Sequence, residues 1–65
     1  MMTIKRLNDF VPGVYLLAPG GRTLNVDSME EAIAKAGPPW YRIRMVSENG
    51  QVAEYDLKGD FIRYR

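Results

Sequence analysis

The apolar positions of this chain change their spacing from segment to segment, and each spacing points to an element. In VYLLAPGGRTLNV, residues 14–26, apolar side chains flank a Gly20-Gly21 pair, which predicts two short strands joined by a tight turn. With those two glycines as the loop, Leu17 pairs with Leu24 and Tyr15 with Val26 on one face. Leu16 then meets Asn25, and Ala18 meets Thr23, on the other. Met29, Ala32, Ile33 and Ala36 follow at i, i+3, i+4 and i+7, the stripe of a short helix. Ser28 and Glu31 have the spacing of a capping box, and Gly37-Pro38-Pro39 is a stop signal. A helix of about nine residues is ~13 Å long and marginal alone, so it is expected to lie on a sheet.

From residue 40 the period is two, and the register can be chosen by asking where the acids go. A two-residue Asn49-Gly50 loop would set Met45 beside Glu54 and Ile43 beside Asp56, placing acids in the core. A three-residue loop, Glu48-Asn49-Gly50, with Gly50 in the left-handed region, avoids this. Tyr41 then faces Leu57, Ile43 faces Tyr55 and Met45 faces Ala53, while Arg42 meets Asp56 and Arg44 meets Glu54 on the opposite side. Taking Gly59-Asp60 as the next loop adds Ile62 beside Leu57 and Tyr64 beside Tyr55 to the apolar face. Arg63 falls beside Asp56 and Arg65 beside Glu54, and the outer face also carries Val46 with Val52 and a row of Trp40, Lys58 and Phe61.

The expected architecture is therefore a single α+β domain, residues 1–65, of order ββαβββ. One short helix packs on a mainly antiparallel sheet of spatial order 2-1-3-4-5, and the last three strands form a meander. Residues 1–13 place Ile4, Leu7, Phe10 and Val11 at helical spacing before Pro12-Gly13, predicting a short helix or an N-terminal arm folded over Trp40 and Phe61.

Composition removes several kinds of chemistry. A chain of 65 residues buries only ~60% of its unfolded surface, so the core is thin and a deep substrate pocket is not expected. There is no cysteine for a disulfide frame, and without cysteine or histidine the usual zinc ligand sets are missing. No metal or other cofactor is expected. Without histidine or cysteine the nucleophile candidates are only the hydroxyls of Thr3, Thr23, Ser28, Ser47 and the tyrosines, of which Ser28 is better explained as a cap, and arginines beside Glu54 and Asp56 would keep both carboxylates ionised. APGGR lacks the Lys-Ser/Thr of a phosphate loop. An enzyme is accordingly not expected. No apolar run is long enough to span a bilayer and the first residues do not read as a secretory signal, so a cytoplasmic location without membrane contact is expected.

A net charge of +1 does not by itself call for a polyanion. The outer face is more informative. Trp40, Phe61, Lys58, Arg42, Arg44, Arg63 and Arg65 combine aromatic and arginine side chains, the types enriched at interface hot spots. Trp40, Phe61, Val46, Val52 and Leu16 also lack an assigned place in the core. The expectation is a non-enzymatic interaction or regulatory module that binds a protein partner through this face, with nucleic acid, stacked on the same aromatics, as the alternative. A monomer, or a weak homodimer through the edge of strand 2 or 5, is expected.

Overall fold

The computed structural model describes residues 11–65. The elements are β1 (Gly13–Ala18), β2 (Arg22–Val26), α1 (Met29–Lys35), β3 (Arg42–Val46), β4 (Val52–Tyr55) and β5 (Phe61–Tyr64). They form one antiparallel sheet in the order β2-β1-β3-β4-β5, with a C-terminal meander, as the sequence suggests. The helix or arm expected over residues 1–13 lies, up to residue 10, outside the described residues.

Every hairpin turns through three residues, and each turn ends on a glycine at positive φ: Gly21 at 81°, Gly50 at 88° and Gly59 at 93°. The β3–β4 turn is the one expected. Ser47 N–H donates to the Gln51 carbonyl and Gly50 N–H to the Ser47 carbonyl, both at 2.9 Å. Ile43 faces Tyr55, Arg44 faces Glu54 and Met45 faces Ala53.

The other two turns are one residue longer than the glycine pairs implied. Pro19 joins Gly20 and Gly21 in the first loop, so Ala18 pairs with Arg22, Leu16 with Leu24 and Val14 with Val26. Proline cannot donate a ladder hydrogen bond, and Gly20 is also at positive φ, 83°. This one-residue slip exchanges the two faces of β1, so Leu16 joins the buried cluster beneath α1 while Leu17, also buried, lies on the opposite face.

In the last hairpin the loop is Leu57, Lys58 and Gly59. Asp56 N–H donates to the Asp60 carbonyl and Gly59 N–H to the Asp56 carbonyl, each 2.9 Å, the same pattern that Ser47 makes. Asp56 therefore closes a turn instead of facing Arg42 and Arg63. Its Oδ1 accepts from Lys58 N–H and Asp60 N–H, both at 2.9 Å. The strand then bulges: Tyr55 faces Phe61 while Glu54 faces Arg63, leaving Ile62 as the extra residue. Tyr64 consequently faces Ala53, not Tyr55, and Ile62 does not join Leu57.

Two rows of side chains cross the helix-covered face. One is Leu24, Leu16, Ile43, Tyr55 and Phe61; the other is Val26, Val14, Met45, Ala53 and Tyr64. Val14, Leu16, Val26, Ile43 and Ala32 of α1 are the buried centre, with Met29, Trp40 and Leu57 packed around them. The helix begins as its caps foretell: Glu31 N–H donates to Ser28 Oγ at 3.1 Å, and Glu31 Oε1 accepts from Asp27 N–H at 2.8 Å. Lys35 returns to Glu31 at 3.6 Å one turn on. Tyr41, expected inside opposite Leu57, is half exposed.

The two turn glycines of the meander separate backbone strain from crowding. A Cβ on Gly50 meets nothing within 4 Å, whereas one on Gly59 lies 2.7 Å from Ile33 Cδ1 of α1. Gly50→Ala is expected to cost about 1 kcal/mol through its φ alone. Gly59→Ala should cost more, because Ile33 must also move, and an added Ile33→Ala should recover part of the difference. Urea unfolding midpoints of the three variants check this.

Candidate interaction surface

On the face turned away from α1, one carboxylate holds four arginines. Glu54 is only 2% exposed. Its Oε1 lies 3.3 Å from Arg42 Nη1 and 3.0 Å from Arg63 Nη2; its Oε2 lies 2.9 Å from Arg44 Nη2 and 3.2 Å from Arg65 Nη1. Strand alternation explains the convergence, since Arg42 and Arg44 leave β3 on the face that Glu54 leaves β4, and Arg63 lies directly opposite Glu54. Burial opposes ionisation of Glu54, but the Arg44 hydrogen bond and the charges of Arg65, Arg63 and Arg44 outweigh it and hold the carboxyl below its ordinary value of 4.5.

The cluster thus carries four positive charges against one negative, not the two acids expected from the ladder. Asp56 has its own use in the turn, where the backbone bond from Asp60 leads the groups that lower its pKa. Four guanidinium groups offer roughly twenty N–H donors, and one carboxylate about four lone-pair sites. Donors are in surplus; Arg44 Nε is buried with no acceptor among the described residues.

The aromatic candidates lie elsewhere. Trp40 sits in a turn, where its N–H donates to the Gly37 carbonyl at 2.8 Å, so strand alternation does not extend to it. Its side chain packs on the core beneath α1. The longer last loop carries Phe61 to the same face, where it meets Tyr55 edge-on at 5.6 Å and Tyr64 at 4.9 Å. Lys58 is exposed in the loop itself. The face that was to combine Trp40, Phe61 and Lys58 with the arginines is therefore not assembled. Of the five apolar residues without a place, Leu16, Val46 and Val52 are buried, Trp40 is half-buried, and Phe61 remains exposed.

Arginine and aromatic side chains do meet along one line, strand β5. Phe61, Ile62 and Tyr64 are 51%, 40% and 62% exposed, and the Arg63 and Arg65 side chains 57% and 49%. Among the described residues β5 pairs with β4 alone, so its outer edge is open. Arg65 N–H donates to the Val52 carbonyl at 2.8 Å, and alternation turns the backbone groups of Tyr64 outward. Beside this strand an open concavity of about 520 Å³ is lined by Met45, Ala53, Tyr55, Tyr64 and the β3–β4 turn, where α1 does not reach. Among the described residues no three acids group to hold a metal, and no helix is long and apolar enough to cross a membrane.

Glu54 is the residue whose removal this geometry weights most. Glu54→Gln keeps the shape but leaves four arginines without a counter-charge. Breaking a buried pair costs about 3–5 kcal/mol, and because the arginines remain partly hydrated the expected loss is nearer about 2–3 kcal/mol. A carboxyl held below its ordinary value stabilises the fold in full above pH 4.5 and loses that contribution as pH falls toward the lower folded-state value. Unfolding midpoints measured between pH 7 and pH 3 are expected to fall in this acid window, with a shallower decline in Glu54→Gln.

No protein-family model matches this chain, no curated protein is significantly similar to it, and no solved structure matches it significantly.

Proposed function

We propose that the protein is a non-enzymatic interaction module that binds another protein along the open edge of β5. The observation that carries this reading is a single exposed edge strand with Phe61 and Tyr64 on one side and Arg63 and Arg65 on the other. A strand added there gains main-chain hydrogen bonds for affinity and alternate side-chain contacts for specificity. Arginine and aromatic anchors are the residue types that dominate such interfaces. The arginines of β3, Arg42 and Arg44, act from behind by holding Glu54.

Nucleic acid is the less supported reading of the same arginines. Binding of a single strand draws on aromatic rings beside the basic groups. Here Tyr55, Phe61 and Tyr64 lie on the face opposite Arg42, Arg44, Arg63 and Arg65.

The test is affinity capture with the native chain and with a Phe61→Ser, Tyr64→Ser variant, followed by amide exchange on the recovered complex. A partner held by the edge is lost with the variant and slows exchange at Tyr64. A partner that binds both forms equally, or leaves that amide exchanging as in the free protein, overturns the proposal.

A further inference from the structure

We infer that the strand received by β5 is acidic, reading acid–apolar–acid, and comes from a different protein. This rests on the edge reading above and adds the chemistry of the partner.

The spacing follows from the register. Arg63 faces Glu54 and Arg65 donates its N–H to the Val52 carbonyl, so both side chains leave β5 on one face, two residues apart. Tyr64, between them, leaves on the other face and touches Phe61. Residues of an added strand that stand opposite Arg63 and Arg65 are likewise two apart, with Cβ atoms roughly 4.5–5.5 Å away. The residue between them faces Tyr64. Carboxylates suit the first two positions, because Arg63 and Arg65 share one buried acid with Arg42 and Arg44 and keep most of their donors. An apolar side chain suits the middle one, extending the Tyr55, Phe61 and Tyr64 cluster.

The same charges argue against a second copy of this chain as the occupant. Antiparallel pairing of two β5 strands would set arginine against arginine on the charged face, which is destabilising for directly opposed like charges. The other edge strand, β2, offers Arg22, Thr23, Leu24, Asn25 and Val26, with no acid among them. Asp27, Glu30 and Glu31 belong to the start of α1, and Glu48 and Asp60 to turns. No described edge of the molecule presents two acids at strand spacing.

The experiment is an amide chemical-shift titration with three synthetic octapeptides, alternating Glu-Val, Gln-Val and Lys-Val, and with octathymidylate, at low and high salt. The Glu-Val peptide is expected to shift Ile62 and Tyr64 and to bind up to about fivefold more tightly per paired acid than the Gln-Val peptide. Salt should reduce that preference. In an Arg63→Gln, Arg65→Gln variant, whose fold is checked by the dispersion of the same spectrum, the Glu-Val and Gln-Val peptides should bind alike. Equal binding of both to the native protein overturns the acidic partner and leaves the edge reading standing. Failure of every peptide overturns both readings, and binding of the oligonucleotide alone replaces them with nucleic acid.

Discussion

The meander depends on a buried carboxylate that cannot be left alone. An ionised group withdrawn from water is costly unless it is paired and hydrogen-bonded, and Glu54 meets that condition with guanidinium groups from β3 and β5 at once. The pairing in turn constrains the last strand. A three-residue loop alone would continue the Tyr55–Phe61 register and bring Ile62 opposite Glu54, with Arg63 on the aromatic face. The bulge at Ile62 restores the alternation and returns Arg63 and Arg65 to the acid. An irregularity that lengthens one strand by a residue is thus tied to the charge cluster it permits.

Much of this was legible, and the failures share one cause. Ser28 and Glu31 marked the start of the helix, and the requirement that acids stay out of the core selected the three-residue turn at Glu48-Asn49-Gly50. The same requirement was not decisive at the other turns. In β1 and β2 both registers bury leucine, Leu17 with Leu24 or Leu16 with Leu24, so pattern alone did not separate them, and Pro19 was the overlooked signal. At Gly59-Asp60 the signal was Asp56. An aspartate at the start of a turn can take turn N–H groups on its side chain, and reading it as a ladder charge hid that local competition.

The candidate site suffered from a related limit. Side-chain alternation holds only where the backbone is extended, and Trp40 lies in the turn that ends two residues before β3 begins. Phe61, expected beside Lys58, pairs with Tyr55, a shift of three that reverses its face. The four arginines were placed on the correct face despite the wrong loop, because a loop extension and a bulge together shift the register by two and preserve parity. Their convergence on a single acid is not legible in the alternation, since it depends on Asp56 being engaged elsewhere.

A thin sheet whose two edges are unpaired among the described residues must be kept from joining copies of itself, and the two edges are guarded unequally. The outer strand β2 presents Arg22 and Asn25, is buried at Val26, and runs directly into the cap of α1. Strand β5 has no such cover among the described residues and relies on arginine, a charge that blunts edge-to-edge association. Repulsion of that kind is selective. It disfavours basic strands and a second β5, while in the proposed reading the surplus of guanidinium donors around Glu54 favours an acidic one. On the proposed reading, protection against self-pairing and preference for an acidic partner arise from the same two side chains, Arg63 and Arg65, held in place by a carboxylate that is paired and out of the solvent.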